Sequence, residues 1–160
     1  MASIARLLGA AGAVLLLLGG CAPTSAGAAD AASEANATVP LTIRTADRRE
    51  IAYRVEVART PNEQARGLMY RTSLPDHGGM IFPMAPPRFA SFWMKNTYIP
   101  LDILFIRADG TIARIAADTV PEDLTPVESG EPVAAVLEIA GGGAAAEGIA
   151  EGDVVIWKNR

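Results

Sequence analysis

A few polar side chains stand among large hydrophobic residues between positions 78 and 139, and these are the residues that could do chemistry. Lys95, Asp102 and Glu138 each occupy a position where the surrounding pattern favours a hydrophobic residue. A buried charge is unfavourable unless it is paired, so these residues indicate a site. A lysine near two carboxylates could form a general acid and base pair, or it could line a polar pocket for a small ligand.

We predict a ligand pocket around this polar group. Because side chains alternate along a strand, Trp93 and Lys95 would share one face and Asn96 would lie on the other. Lys95 could instead cover Trp93 with its stem while its ammonium reaches water. Asp102 could accept backbone amides of residues 96–100, and Glu138 could point outward. The full predicted set of pocket residues is Trp93, Lys95, Asn96, Asp102 and Glu138.

Two functions of different classes fit this pocket. The first is a small-ligand-binding or accessory domain without enzymatic activity, which we favour. The second is a metal-independent enzyme that acts on a carbohydrate or cell-envelope substrate through Asp102 or Glu138 with Lys95. The sequence contains neither a G-x-S-x-G nucleophile motif nor a phosphate-binding P-loop, since no lysine follows the glycines at 141–143.

A third possible function is periplasmic copper binding. Imidazole and thioether groups suit Cu(I), and the secondary candidates for such a site are His77, Met80, Met84 and Met94. However, the three methionines lie among Ile, Phe and Pro residues, where Met commonly fills gaps in a core. We therefore expect neither a metal nor a cofactor in this protein.

The N-terminus is typical of an exported lipoprotein. Residues 1–20 contain Arg6, an apolar run at 7–18 and small residues, which is the pattern of a signal peptide. The apolar run is shorter than the roughly 20 residues that span a bilayer. The following Cys21 resembles the lipidated cysteine of a bacterial lipobox, and Ala22 after it resembles the outer-membrane sorting signal. An ordinary secreted protein with an incidental Cys21 is the alternative.

Charge and composition restrict the possible partners. The chain has a net charge of −4, which becomes −5 without residues 1–20 because Arg6 is their one charged residue. This sign argues against nucleic acid as a partner. Residues 21–38 contain no large apolar side chain and are predicted to form a disordered tether. Residues 39–160 are predicted to form a single domain, expected to be a periplasm-facing monomer held at the membrane by its lipid.

The elements that must position the polar residues are mostly strands. Alternating residues at 41–45 and 51–57 predict a hairpin with one wet face. Thr60, Pro61 and Glu63 predict a capping box that begins a helix over 61–70. Apolar runs predict further strands at 80–82, 89–95, 101–107, 111–117, 133–139 and 154–157, and a short helical segment at 144–148.

These elements predict an α+β domain that is mostly antiparallel β. We expect a small barrel-like sheet with one or two short helices. The three prolines between 83 and 88 argue against a central strand there. Asp109 and Gly110 predict a hairpin turn within an antiparallel meander.

Several short runs resemble one known family. They are RGLMYR at 66–71, GMIF at 79–82, FWMKNT at 92–97, PLDI at 100–103, VLE at 136–138 and GD at 152–153. Together these runs closely resemble the family called domain of unknown function 192, with a match from about residue 41 to residue 157. The resemblance implies a compact, β-rich and often exported domain. It implies no established activity.

Overall fold

The computed structural model describes residues 37–158. Within them nine strands and two short helices follow each other along the chain. They are β1 (Val39–Arg44), β2 (Glu50–Val57), α1 (Pro61–Arg66), β3 (Gly78–Arg88), β4 (Ser91–Phe92), β5 (Leu101–Ile106), β6 (Ile112–Thr119), β7 (Val127–Glu128), β8 (Val133–Ala140), α2 (Gly143–Glu147) and β9 (Val154–Trp157).

Seven of the strands form one sheet in the order β6-β5-β8-β3-β2-β1-β9. All neighbouring strands in it are antiparallel except β2 and β3, which are parallel. The sheet is not closed, but a single bridge between Thr111 and Val154 brings β9 to the start of β6. The predicted class, a mostly antiparallel and barrel-like α+β domain, is confirmed.

The N-terminal third of the domain folds as its local signals predict. Strands β1 and β2 form an antiparallel hairpin in which alternate residues of β2 are buried. Thr60 caps α1, and the Glu63 carboxylate accepts the backbone N–H of Thr60, which completes the predicted capping box. The helix ends at Arg66, earlier than the predicted residue 70, because Gly67 takes a positive φ of 49°.

Two predicted strands in the middle of the chain, 80–82 and 89–95, have the wrong bounds, while residues 83–88 pair on one side only, which agrees with the prediction that they do not form a central strand. Strand β3 continues through the prolines to Arg88, because beyond Ile81 it has left β2 and pairs only with β8. The prolines therefore lie where no ladder hydrogen bond to β2 is required. The predicted strand at 89–95 is reduced to the two residues of β4, which pair with β7 in a separate small sheet.

The predicted meander is also wrong. Strand β8 lies between β3 and β5. The hydrophobic strands β3 and β5, which are close in sequence, are therefore not neighbours in the sheet. The hairpin of β5 and β6 with its turn at Asp109 and Gly110 is present as predicted. The prediction is wrong because the long connection after β6 leads to β8, which lies between β3 and β5. Local sequence patterns do not indicate such a pairing between distant segments.

The central strands bury both faces. Along β5 and β8 successive residues alternate between two clusters of buried residues, which therefore lie on opposite faces of the sheet. The first cluster contains, among others, Leu41, Val55, Ile81, Leu104, Leu137 and Ile139, and Ala144 of α2 packs into it. The second cluster contains, among others, Leu68, Met80, Phe82, Met94, Ile103, Phe105 and Val136.

The predictions for the N-terminus concern residues 1–20, Cys21 and the tether. Residues 1–20 and Cys21 lie outside the described residues, and so does most of the tether at 21–38. None of the helices within residues 37–158 has the length and apolar character needed to cross a membrane.

Candidate functional site

A pocket of about 430 Å³ lies on the second-cluster side of the sheet. Its walls come from the end of α1 and the residues after it, from β3, and from the segment that contains β4. Its size falls in the range of small-molecule sites, which is about 300–1,000 Å³. The residues that line it are Gln64, Ala65, Arg66, Gly67, Leu68, Met69, Phe82, Met84, Arg88, Phe89, Ala90, Ser91, Phe92, Trp93, Thr97 and Glu138.

Glu138 reaches this pocket from the centre of the sheet. Its strand β8 lies between β3 and β5, and its cross-strand neighbours are Met80 and Ile103. Both neighbours belong to the second cluster, so Glu138 projects into an apolar layer. Only 5% of the Glu138 surface is exposed. A carboxyl group therefore stands where the pattern of β8 would place a hydrophobic residue.

The carboxyl of Glu138 has no hydrogen-bond partner among residues 37–158. However, every fully buried side-chain oxygen in residues 37–158 has a hydrogen-bond partner. The small exposed fraction of Glu138 therefore includes its oxygens, and the residue lines the pocket. Burial raises the pKa of Glu138 to about 8, because a charged carboxylate is poorly solvated there. At pH 7 the group is mostly protonated and can donate a hydrogen bond.

Two glycines allow backbone to pass close to Glu138. At Gly67 a Cβ would lie 3.3 Å from Phe82 Cζ and 3.8 Å from Glu138 Oε2. Gly67 also has a positive φ of 49°, which disfavours any side chain. A Cβ at Gly79 would collide with the backbone oxygen of Glu138. Gly67 thus keeps the segment after α1 close to the carboxyl, and Gly79 keeps β3 close to the backbone of β8.

Gln64 joins α1 to the edge of the pocket. Its amide nitrogen donates to the backbone oxygens of Ala58, at 3.2 Å, and Pro83, at 3.0 Å. Its amide oxygen accepts a long hydrogen bond of 3.5 Å from Arg88. Arg66 follows at the last turn of the helix, where its positive charge is favourable. The short helix thus holds one arginine at the pocket directly and orients the other through Gln64.

Trp93, Lys95 and Asn96, three of the predicted pocket residues, take different positions relative to the pocket. Trp93 lines the pocket and is 49% exposed. Lys95 is also exposed, and its ammonium lies 5.1 Å from the centre of the Trp93 ring. This is the alternative stated above, in which Lys95 covers Trp93 and its ammonium reaches water. Asn96 does not line the pocket, since its amide nitrogen donates to the Tyr70 hydroxyl at 2.9 Å.

Asp102 lies on the opposite face of the sheet from Glu138. It is fully buried, and its cross-strand partner is Ile139 of the first cluster. Its carboxylate accepts backbone N–H groups of Asp118 at 2.7 Å, Gly142 at 3.0 Å and Ala144 at 2.8 Å. These bonds belong to segments other than the predicted 96–100 connection. Asp102 is a structural residue and is not part of the pocket.

The predicted grouping of Lys95, Asp102 and Glu138 is therefore not present. The sheet separates the two carboxyls, and Lys95 extends along the surface of Trp93. Acid and base catalysis by the two acids requires both within reach of one reacting atom, roughly 3 Å. The arrangement excludes a shared reaction centre for these three groups.

The candidate copper ligands are also separated. His77 contacts the ring of Tyr53 and lies 2.9 Å from the Glu147 carboxylate, on the side of the first cluster. Met80, Met84 and Met94 are buried in the second cluster. Within residues 37–158 no three His, Cys, Asp or Glu side chains come together in a way that could hold a metal ion.

Sequence reasoning missed most of the pocket walls. Arg66, Gly67 and Phe82 stand in the runs that carry the family resemblance, so position in those runs could have indicated them. Arg88 and Phe89 follow a proline-rich stretch and carry no comparable signal. Their place in the pocket depends on how β3 leaves the sheet.

The comparisons with known proteins agree with this fold. The family model DUF192, described as Uncharacterized ACR, matches residues 42–157. Curated proteins contain no match to this chain.

Two crystal structures resemble the chain closely. A protein of unknown function from Novosphingobium aromaticivorans DSM 12444 is 51% identical, with a TM-score of 0.72, and the match covers 75% of this chain and 85% of that protein. A candidate transcription regulator from Sinorhizobium meliloti 1021 is 39% identical, with a TM-score of 0.74, and the match covers 76% of this chain and 95% of that protein.

Proposed function

The chain belongs to the DUF192 family, and on that premise we propose that its domain binds a small ligand in the pocket over Glu138. The observation that carries this proposal is the Glu138 carboxyl, which is 5% exposed, lacks a hydrogen-bond partner among residues 37–158 and lines the pocket. The carboxyl oxygens reach the pocket surface, so they are open to a hydrogen bond from inside the pocket. A ligand that accepts the Glu138 proton in a hydrogen bond can therefore bind there.

The pocket walls suit a ligand with an apolar body. Phe82 and Phe92 meet edge to face with ring centres 5.1 Å apart, and Trp93 stands at the mouth. Met84 adds a flexible apolar side chain that adapts to the shape of a bound molecule. A few placed polar groups in an otherwise apolar cleft are the usual composition of a binding site.

Binding is favoured over catalysis by what surrounds Glu138. Its raised pKa would suit a general acid, but a reaction of the predicted kind also needs a base. The other ionisable residues that line the pocket are Arg66 and Arg88, and a guanidinium group offers hydrogen-bond donors but no acceptor. Asp102, the other acid considered, lies on the opposite face.

We also propose that this binding domain is exported and held at the membrane by a lipid on Cys21. The support is the signal-like pattern of residues 1–20, followed by the single cysteine of the chain. A tether at 21–38 would then allow the domain to sample ligands near the envelope surface.

Ligand binding is tested by screening fragment-sized compounds, charged and neutral, against the ¹⁵N-labelled protein by NMR. Hits should shift the Trp93 indole and Gly67 amide signals and leave the Trp157 indole unchanged, because Trp157 packs against the first cluster. Glu138→Gln retains a neutral hydrogen-bond donor, so it should keep most of the affinity. Glu138→Leu removes the donor and should weaken binding about tenfold, as expected for one lost hydrogen bond.

Glu50→Gln is the matched control, since Glu50 is exposed and lies outside the pocket. It should bind each hit as the wild type does. The proposal is wrong if no compound shifts the Trp93 signal, or if Glu138→Leu binds every hit with unchanged affinity while remaining folded.

A further inference from the structure

The charges at the pocket mouth carry information about the ligand. Three ionisable residues line the pocket, namely Arg66, Arg88 and Glu138. Burial raises the pKa of Glu138 to about 8, so the carboxyl does not neutralise the arginines at pH 7. The pocket lining is therefore positive in a chain whose net charge is −4. The net negative charge of the whole molecule repels anions at long range. An anion that binds in the pocket is therefore held by direct contact with the arginines.

Neither of the two pocket arginines has a carboxylate partner within residues 37–158. Arg66 makes no ion pair within residues 37–158, and Arg88 contacts only the Gln64 amide oxygen, at 3.5 Å. Both residues are exposed, so their guanidinium groups can be reached from solvent. Four other arginines of the described domain are paired, namely Arg44 with Glu50, Arg49 with Asp47, Arg71 with Glu56 and Arg107 with Glu131. Arg48, Arg54 and Arg114 also make no ion pair within residues 37–158, but they do not line the pocket.

Building on the ligand-binding function proposed above, we infer that the ligand is a small oxyanion with a flat, apolar body. Arg66 and Arg88 bind its carboxylate or phosphate, because a planar guanidinium matches either group with two parallel hydrogen bonds. Phe82, Phe92 and Trp93 contact the apolar body. An acceptor atom deeper in the ligand receives the hydrogen bond from Glu138.

A cationic ligand is disfavoured by the same groups. Aromatic rings and an acid could in principle hold an amine. Here, however, the amine would meet two arginines at the mouth, and ionising Glu138 in its apolar layer is unfavourable. Lys95 adds a further positive charge beside Trp93. The ligand class therefore follows from the cations around the mouth as well as from the buried acid.

Four probes that share one ring test this inference: benzoate, phenyl phosphate, benzamide and benzylamine. In NMR titrations of the full chain near neutral pH, benzoate or phenyl phosphate should shift the Trp93 indole signal with an affinity at least about tenfold above that of benzamide. Benzylamine should bind most weakly. The stronger of the two anions identifies the oxyanion as a carboxylate or a phosphate.

The variant Arg66→Gln/Arg88→Gln should lose about tenfold in affinity for the stronger anion and bind benzamide as before. The matched control is Arg48→Gln/Arg54→Gln, which removes the same charge from two arginines that do not line the pocket. It should leave all four affinities unchanged.

Three outcomes overturn the inference. They are benzylamine binding at least as tightly as the anions, an unchanged anion affinity in the Arg66→Gln/Arg88→Gln variant, and no shift of Trp93 by either anion. If benzoate and benzamide shift the Trp93 signal with equal affinity, and Glu138→Leu weakens both, the inference that the ligand is an oxyanion is wrong. The proposed binding site is then still supported. Binding that is the same in Glu138→Leu as in the wild type counts against the proposed site itself.

Discussion

Glu138 couples protonation to folding. Burial raises its pKa from 4.5 to about 8 in the folded protein. Between these two values the folded state keeps a proton that the unfolded state has released. The stability associated with this group is therefore full below pH 4.5 and is lost as the pH rises through 8.

The first prediction compares Glu138→Gln with the wild type. The amide cannot ionise, so the variant avoids the loss that the wild type suffers as the pH rises. Near pH 5 the two free energies of unfolding should be similar, and near pH 8.5 the variant should be more stable by about 4 kcal/mol. Urea denaturation across this range, followed by circular dichroism, measures the difference.

Other carboxyls do not disturb this comparison. Hydrogen bonds from nearby residues lower the pKa of several exposed acids, whose stabilising effect is lost as the pH falls. Both proteins contain these acids, so their effect cancels, and Glu50→Gln should follow the wild-type curve. A difference between wild type and Glu138→Gln that stays constant with pH would show that Glu138 titrates normally. The acids concerned are Asp47, Glu63, Asp109 and Asp123.

At the scale of elements, Asp102 organises the side of the sheet opposite the pocket. One carboxylate satisfies a backbone N–H in β6 and two more at the turn into α2, through Asp118, Gly142 and Ala144. These N–H groups belong to segments that no strand ladder pairs at that point. A carboxyl group buried inside a β-strand is thus satisfied by backbone donors, with no cationic partner within residues 37–158.

The second prediction is that Asp102→Ala lowers the free energy of unfolding by about 4 kcal/mol, because it leaves buried N–H groups without an acceptor. Asp102→Asn keeps one acceptor oxygen and should lose less. Chemical denaturation measures both losses, and hydrogen exchange at Gly142 and Ala144 should accelerate in each variant.

Ligand affinity provides the control for Asp102. Since this residue lies across the sheet from the pocket, Asp102→Asn should bind any hit from the screen with wild-type affinity. An affinity loss in a folded Asp102→Asn protein would return Asp102 to the binding site. Unchanged stability in Asp102→Ala would contradict its structural role.

At the scale of the whole molecule, the proposed anchor determines where the pocket operates. None of the helices in residues 37–158 is able to cross a membrane. Cys21 is the single cysteine of the chain and hence the single thiol available for a thioether-linked lipid.

The third prediction is that wild-type protein made in a Gram-negative host partitions into detergent and carries acyl mass on Cys21. Cys21→Ala should appear in the aqueous phase or retain its signal peptide, since it lacks the thiol. Mass spectrometry of the N-terminal peptide checks both forms. Ser25→Ala is the matched control and should remain acylated, whereas an unmodified N-terminus between residues 22 and 37 would refute the anchor.

Local signals in the sequence were sufficient to predict many of the elements. The hairpin of β1 and β2, the capping box of α1, β5 and β9 all depend on residues close together in the chain. Alternating burial and helix capping are determined by residues close together in sequence, so they do not depend on how the rest of the chain folds. The presence of Trp93 and Glu138 in one pocket was predicted in the same way, from polar or exposed residues in apolar runs.

The order of the strands, and with it the content of the pocket, was decided only by tertiary structure. Insertion of β8 between β3 and β5 gives Glu138 the apolar neighbours Met80 and Ile103 and turns Asp102 to the other face. Both acids look alike in sequence, because each is one polar residue in a hydrophobic strand. Which face a residue takes depends on strand register, and which donors it meets depends on segments distant in the chain. That is why the same local pattern produces an acceptor of backbone N–H groups at Asp102 and, at Glu138, an acid without a hydrogen-bond partner in the described part of the chain.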